Sequence, residues 1–264
     1  MQKEFERALL TAQGRVAVVT MNHPEVLNAL SPKMVRGICA ALDEIEQPDS
    51  GFRAVLLTGA GRAFCSGANL TEPTEERGSP KVSSPLENVY HPFLRRLRDL
   101  KVPIVTGVNG VAAGIGMSIA LMGDLVIAAR SAYFLQAFAR IGLVPDGGST
   151  WLLPRLIGLA RARELSLLAE KLPAERALEW GLINRVCDDS QLRDEALALA
   201  SHLADGPTAT LTLARRLYWE SPQNSYEQQL SCEAAAQDKA AATEDFREGI
   251  RAFRDKRPAE FKGR

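Results

Sequence analysis

Short β-branched segments alternate with helical patterns through the first two thirds of the chain, and this alternation constrains the fold most strongly. The first strand is predicted at 15–21, where RVAVVTM is compact and β-branched. Ser31 and Pro32 then start a helix, since Ser caps a helix and Pro suits its first turn. Further strands are predicted at 53–58, 103–108 and 124–129. Strands that alternate with helices predict an α/β core.

The rest of the chain is predicted to be largely helical. A helix is expected at 86–100 and a buried, apolar one at 111–123. Residues 71–84 contain Pro, Gly, Ser and Glu, which is typical of a mobile loop or lid. The last third, from 149 to 253, carries one possible strand at 184–187 and helices at 174–180, 195–203, 208–219 and 226–242.

Length and composition exclude several classes of protein. The 264 residues permit one large or two small domains, and 46% hydrophobic residues exclude a disordered chain. The formal net charge is zero, which disfavours nucleic-acid binding and attraction to a membrane surface. Four cysteines without a CxxC pair, together with only three histidines, predict no metal site. The longest apolar stretch is too short to span a membrane, so a cytoplasmic protein is expected.

Two glycine-containing turns are the first candidates for chemistry. GRAFCSGANL at 61–70 follows one predicted strand, and NGVAAGIGMS at 109–118 joins another to a helix. Glycine lets a ligand approach the main chain, and one backbone N–H from each turn could hold a carbonyl oxygen as it becomes an oxyanion. The alternative is that the glycines only permit tight turns and close packing. Neither turn is a dinucleotide or Walker motif, so no nucleotide phosphate site is indicated.

Five ordered segments together resemble the crotonase (enoyl-CoA hydratase/isomerase) superfamily. They are MNHPEVLNALS, GRAFCSGANL, KVPIVTGVNGVAAGIGMSIALMGDLVIAA, FLQAFARIGLVPDGGSTWLLPRLIG and the chain end EGIRAFRDKRPAEFKGR. The resemblance implies a single α/β domain over 1–264, with a ββα superhelix at 1–200 and a helical trimerisation region at 201–264. It also implies acyl-CoA thioester substrates, a homotrimer or a dimer of trimers, and no cofactor beyond the CoA of the substrate.

The resemblance also implies site residues. The two oxyanion donors fall on the backbone N–H groups of Ala68 and Ile115. Cys65, in the first turn, is interpreted as a small buried thiol rather than a nucleophile, because no His or Asn pattern supports it. The predicted substrate contacts, several of which have ordinary structural alternatives, are Arg62, Phe64, Ala68, Asn69, Leu70, Gly114, Ile115, Phe138, Phe253 and Lys256.

The chain departs from the family pattern at the two positions where hydratases carry glutamates. Ser118 stands at the first and Phe138 at the second. Neither side chain can take a proton from water at neutral pH, so this chain is not expected to add water to its substrate in the way that the hydratases do. One acid remains nearby, because VPDGG places Asp146 where family isomerases carry a carboxylate.

Asp146 has two interpretations. As a base it would remove an allylic proton from the thioester substrate and return it two carbons away. Apolar neighbours, namely Phe134, Phe138 and Leu143, would raise its pKa and exclude water. Alternatively, Asp146 simply caps the helix that follows at Ser149.

The leading hypothesis is therefore an acyl-CoA double-bond isomerase. The stretch from GDLVIAARSAYF to PDGGSTWLLPRLIG most resembles the phenylacetate-catabolic subgroup that rearranges ring-1,2-epoxyphenylacetyl-CoA. The first alternative is an enoyl-CoA hydratase with altered water activation, which needs a second carboxylate from elsewhere. The second is a non-catalytic or RNA-binding relative, which the neutral charge disfavours.

Overall fold

The chain alternates between two sheets, as seen in a computed structural model that describes residues 1–70 and 85–264. The predicted loop at 71–84 lies outside the described residues. The strands are β1 (Gln2–Phe5), β2 (Ala8–Gln13), β3 (Val16–Met21), β4 (Ala54–Gly59), β5 (Ala63–Cys65), β6 (Ile104–Val108), β7 (Val111–Ala113), β8 (Leu125–Ala129), β9 (Tyr133–Leu135), β10 (Lys171–Pro173) and β11 (Arg185–Cys187).

The described α-helices connect the strands and then form the end of the chain. They are α1 (Pro32–Ile45), α2 (His91–Asp99), α3 (Ile115–Ala120), α4 (Ser149–Leu168), α5 (Ala174–Glu179), α6 (Leu192–Asp205), α7 (Thr208–Glu220), α8 (Tyr226–Ala241) and α9 (Glu244–Asp255). Over the described ranges, none of these helices has the length and apolarity that a membrane crossing requires.

Successive strand pairs divide between the sheets, which produces a ββα superhelix. The first sheet has the order β1-β2-β3-β4-β6-β8-β11, with parallel pairing from β3 onwards. The second has the order β10-β9-β7-β5. In each of the pairs β4–β5, β6–β7 and β8–β9, the first strand lies in the first sheet and the second strand lies in the second sheet. A helix follows β7 and β9. The predicted α/β class and superhelix are therefore confirmed.

The sequence prediction missed the short and the polar strands. β1, β2 and β3 form an antiparallel meander, but β1 is exposed or half-buried throughout and carries two charges, and β2 ends in the polar residues of LLTAQ. The second sheet consists of three-residue strands, which are too short to give a period. Pairing with neighbouring strands, rather than local propensity, forms both.

The helix predicted at 111–123 is wrong at its beginning. Residues Val111–Ala113 form β7, which pairs with β5 and β9, and the helix α3 starts only at Ile115. Gly114 separates the two at φ 52° and ψ −128°, a conformation that favours glycine. Apolar character predicted the burial correctly, but it cannot distinguish a buried strand from a buried helix.

The proposed boundary between residues 200 and 201 falls inside α6 and has to be corrected. This helix runs from Leu192 to Asp205 and packs on β3, β4, β6 and β8, so it belongs to the core. The C-terminal helical region therefore begins with α7.

A buried arginine joins α7 to the core. Arg215 donates to both carboxylate oxygens of Asp124 at 2.6 Å and to the carbonyl oxygens of Leu97 and Leu100 at 2.9 and 2.7 Å. Its side chain is only 5% exposed. The end of α2, the start of β8 and α7 are thus tied to one guanidinium group.

Candidate functional site

The first glycine turn directs the N–H of Ala68 away from the segment around Leu30. The carbonyl of Gly67 accepts from the N–H of Leu30 at 2.7 Å, and the N–H of Asn69 donates to the carbonyl of Leu30 at 2.8 Å. The carbonyl of Gly67 and the N–H of Ala68 belong to one planar trans peptide and point in opposite directions. The Ala68 N–H therefore points away from Leu30, and Ala68 itself is exposed.

The second glycine turn presents the N–H of Ile115. Because Ile115 is the first residue of α3, its N–H has no partner within the helix. The turn is held in place by Gly114, whose N–H donates to the carbonyl of Leu135 at 2.9 Å.

The two turns are in contact with each other. A Cβ on Gly114 would lie 3.9 Å from the Cα of Gly67, and a Cβ on Gly67 would lie 3.2 Å from the carbonyl oxygen of Ala113. Gly67 adopts a φ of 110°, so both the space and the backbone require glycine there. Two backbone donors on adjoining turns can bind a carbonyl oxygen on which negative charge develops.

Asp146 carries a buried carboxylate oxygen. Its Oδ1 has no hydrogen-bond partner among the described residues, and burial raises the pKa of the carboxyl group from 3.8 to about 6. A carboxylate with this pKa is ionised at neutral pH and is more basic than an ordinary aspartate.

The alternative that Asp146 caps α4 with its side chain is wrong. The N-cap residue of α4 is Gly148, and no side chain bonds to the helix N-terminus there. It is the backbone carbonyl of Asp146 that accepts hydrogen bonds, from the N–H and the hydroxyl of Ser149 at 3.1 and 2.8 Å. The carboxylate is left available for other chemistry.

The residue after Asp146 lies directly against the helix that provides the second donor. Gly147 adopts a φ of 60°, and a Cβ there would lie 3.1 Å from Cγ1 of Ile115 and 2.9 Å from Oγ of Ser118. The acid-bearing turn and the second donor are therefore neighbours, although 31 residues separate Ile115 and Asp146 in the chain.

The two positions that carry glutamates in hydratases hold no acid here. Ser118 is buried, and its hydroxyl is 2.9 Å from that of Ser149. Phe138 is buried on the short 3₁₀ helix Ala137–Ile141, with its Cζ 3.6 Å from the Cβ position of Gly114. Phe138 thus forms an apolar wall at the second turn. Of its predicted companions, Phe134 lies in the core and Leu143 is 40% exposed.

The structure corrects one predicted substrate contact and leaves the others as predictions. Phe64 has 0% exposure within the hydrophobic core, so its side chain is not available to a ligand. Arg62 and Leu70 are exposed and Asn69 is half-buried, all near the first turn in sequence. Phe253 is 84% exposed on α9, and Lys256 ends that helix in the left-handed conformation. α9 packs on α8 and on the chain end, and the substrate contacts predicted for Phe253 and Lys256 remain predictions.

Cys65 has the properties of a structural thiol. It is fully buried on β5, and burial raises the pKa of its thiol to about 11. A thiol with this pKa is protonated at neutral pH and is a poor nucleophile.

A cavity of about 340 Å³ adjoins the acid turn, and none of its wall residues is among the predicted substrate contacts. Trp151 and Trp219 stack in its wall with ring centroids 5.5 Å apart. The cavity is lined by His91, Leu94, Arg95, Arg98, Met122, Gly147, Gly148, Trp151, Leu152, Trp219 and Gln223. These residues come from four separate elements, so no local motif marks them. A larger cavity of about 530 Å³ lies between the chain end and the turn before β4, and neither glycine turn lines it.

Comparison with known proteins shows sequence similarity over almost the whole chain. Residues 11–264 match the family "Enoyl-CoA hydratase/isomerase". The chain is 45% identical to a 1,2-epoxyphenylacetyl-CoA isomerase of Escherichia coli K12, over 98% of this chain and 100% of that protein. It is 34% identical to a short-chain-enoyl-CoA hydratase of Clostridium acetobutylicum, over 99% and 100% of the two chains.

The fold agrees equally well with solved structures. The crystal structure of an enoyl-CoA hydratase from Polaromonas sp. JS666 superposes with a TM-score of 0.90 at 32% identity, over 97% of this chain and 99% of that one. On the strength of its two facing glycine turns, its superhelix and these whole-length similarities, the chain belongs to the enoyl-CoA hydratase/isomerase (crotonase) family.

Proposed function

We propose that this protein is an acyl-CoA double-bond isomerase in which Asp146 carries the proton. One observation supports this most directly. The turn that carries the half-buried carboxylate of Asp146, whose pKa is raised, adjoins the helix of the second oxyanion donor, whereas Ser118 and Phe138 occupy the two positions where hydratases have glutamates. The site thus offers one base rather than the pair that water addition requires.

In the proposed reaction, this chain stabilises a negative charge and moves a proton. The N–H groups of Ala68 and Ile115 bind the thioester oxygen and stabilise the negative charge that it gains. Asp146 removes a proton from C2 of a 3-enoyl thioester, and the C–H electrons move into a dienolate. The same proton then returns to C4, which leaves a C2–C3 double bond conjugated with the thioester. No atom is gained or lost, and no cofactor is required.

Phe138 has a supporting role in the same proposal. An apolar ring against Gly114 keeps water from the dienolate, which would otherwise compete for the proton. Glutamate at this position would instead bind and activate water.

A ring-epoxide substrate is the finer proposal. The 45% identical relative carries the name 1,2-epoxyphenylacetyl-CoA isomerase, and the subgroup resemblance in sequence points the same way. The stacked pair of Trp151 and Trp219 in the adjoining cavity offers aromatic surface next to the acid turn. The CH2 between the ring and the thioester of such a substrate has acidic C–H bonds, so the same backbone donors can hold the thioester oxygen while Asp146 removes and returns a proton there.

The experiment that tests the proposed function compares two reactions of the purified wild-type protein. A 3-enoyl-CoA is assayed for conversion to the conjugated 2-enoyl-CoA, and crotonyl-CoA is assayed for loss of conjugation by hydration. We expect isomerisation to exceed hydration by at least about 100-fold, which is the contribution of one general acid–base group. Hydration as fast as isomerisation would overturn the proposal and favour the hydratase alternative.

The pH dependence of the isomerase follows from the pKa of Asp146. Only the ionised carboxylate can accept a proton, so kcat/KM falls as the pH is lowered through about 6. One pH unit below this pKa, kcat/KM is expected at about one tenth of its plateau value. A pH–rate profile over the stability range of the protein measures this. A plateau that continues down to the ordinary pKa of aspartate would exclude Asp146 as the base.

We also propose the homotrimer, alone or as a pair of trimers, that the family resemblance implies. Phe246, Ile250 and Phe253 lie at helical spacing on α9 and are all exposed in the single chain. A stripe of this kind is typical of a surface that another copy covers.

A further inference from the structure

We propose that Ser149 and Ser118 are positioning residues that hold Asp146 by its backbone carbonyl and leave its carboxylate free. The inference rests on the proposed function, since it explains how the proposed base is held in place. The carbonyl oxygen of Asp146 accepts from the Ser149 hydroxyl at 2.8 Å and from the Ser149 N–H at 3.1 Å, and the Ser118 oxygen lies 3.5 Å from it.

The side chains of Ser118, Gln136 and Ser149 form a hydrogen-bonded cluster. Gln136, which is fully buried, donates from Nε2 to Oγ of Ser149 at 3.3 Å. The Ser118 and Ser149 hydroxyls are 2.9 Å apart. Because Ser149 uses its own hydrogen on the Asp146 carbonyl, its oxygen accepts from both Gln136 and Ser118. Two buried side chains thus orient a third, and the third holds the acid-bearing peptide.

Helix α3 connects this cluster to the oxyanion donor. Ile115 supplies the second donor, and Ser118 lies on the same helix three residues later, almost one turn away. Gly147 packs on both residues without room for a Cβ at the Ser118 oxygen. A single rigid turn of helix therefore sets the separation between the donor that binds the thioester oxygen and the base that moves the proton.

Holding the carbonyl rather than the carboxylate has a chemical consequence. A hydrogen bond donated to a carboxylate stabilises its ionised form and lowers its basicity. Among the described residues, none donates to Oδ1 of Asp146, and burial alone keeps its pKa raised. The cluster fixes the position of Asp146 without making it a weaker base.

The test is a set of hydroxyl deletions assayed on the 3-enoyl-CoA. Ser149→Ala is expected to lower kcat about tenfold with KM changed less than about twofold, because it displaces a bound base by a fraction of an ångström. Ser149→Thr, which keeps the hydroxyl, is expected to recover most of that loss. Ser118→Ala gives a smaller loss in kcat, and it is the second variant if Ser149→Ala does not fold.

A matched control comes from the far end of helix α3, which carries Ser118. The hydroxyl of Thr106 is buried and donates to the carbonyl oxygen of Ala120 at 2.7 Å, so Thr106→Val deletes an equivalent bond away from Asp146. The urea midpoint of unfolding should fall by a similar amount in both variants, whereas kcat should fall only in Ser149→Ala.

Three results would overturn the inference. One is a kcat loss in Ser149→Ala no larger than that in Thr106→Val, which would make the cluster merely structural. Another is a loss carried by KM alone. The third is a shift of the pH at which kcat/KM falls on the acid side. Because the Ser149 hydroxyl is inferred not to contact the carboxylate, that pH is expected to stay near 6 in Ser149→Ala. Full activity of Asp146→Asn would instead defeat the proposed function, so the two failures are distinguishable.

Discussion

Replacing Asp146 by asparagine is expected to abolish most of the isomerase activity. Asparagine has nearly the same shape but cannot accept a proton, so kcat should fall by about 10²–10⁴ while KM changes little. The measurement is steady-state isomerisation of a 3-enoyl-CoA by wild type and variant. Binding of a saturated acyl-CoA, measured by calorimetry, should be unchanged because the backbone donors of Ala68 and Ile115 remain.

Stability and a control variant separate loss of chemistry from loss of structure. The buried Oδ1 of Asp146 receives no hydrogen bond among the described residues, so removing its charge should leave the protein at least as stable at neutral pH. The control is Asp188→Asn, which makes the same change at an exposed acid paired with Arg130 and should keep full activity. Retention of more than about a tenth of wild-type kcat by Asp146→Asn would rule out the proton-shuttle role.

The second large effect is expected on stability, from Arg215→Ala. The substitution removes five hydrogen bonds that join α7 to the core and leaves the largely buried carboxylate of Asp124 without its cation. Breaking a buried ion pair by removing one partner typically costs about 3–5 kcal/mol. The unfolding free energy, measured by urea denaturation, should fall by that amount.

A neighbouring residue provides the control for Arg215. Arg216 is exposed on the same helix and pairs with Glu220, so Arg216→Ala should cost less than about 1 kcal/mol. Equal effects from the two substitutions would contradict the anchoring role of Arg215.

The destabilisation by Arg215→Ala should also depend on pH. Burial already raises the pKa of Asp124, and Arg215 opposes that shift. Without the arginine, the folded-state pKa of Asp124 rises further above its unfolded value, so the folded variant gains stability when Asp124 binds a proton. The stability gap between wild type and variant is therefore expected to narrow as the pH falls from neutrality towards the ordinary pKa of aspartate.

Local patterns predicted those elements whose residues are strongly apolar or carry clear caps. The helix α1 begins at Pro32 with Ser31 as its N-cap, as predicted, because the Ser31 hydroxyl accepts from the N–H of Met34. The strands β3, β4, β6 and β8 were predicted within a residue or so, since each is a compact apolar run. Apart from β11, which was predicted at 184–187, the three-residue strands escaped such patterns, which is why the second sheet was not predicted.

The candidate site was predicted in part. Ala68, Ile115 and Asp146 were selected from the family resemblance, and the structure brings the two glycine turns together and the acid turn beside the second. The tryptophan-lined cavity could not be predicted, because Trp151 and Trp219 are 68 residues apart in the chain and meet only after α4 and α7 pack. Phe64 was assigned to substrate by its place in a motif, but the side chain faces the core.

The sequence by itself determined the α/β class, the absence of acids at positions 118 and 138, and the presence of Asp146 in a glycine turn, because these depend on residue identity and local period. The tertiary structure alone decided that Asp146 uses its carbonyl rather than its carboxylate to hold the turn. It also decided that the carboxylate is buried enough to be a stronger base. The first outcome depends on the orientation of Ser149 by Ser118 and Gln136, which distant segments bring to it, and the second depends on the burial of the turn in the folded chain. No local pattern encodes either.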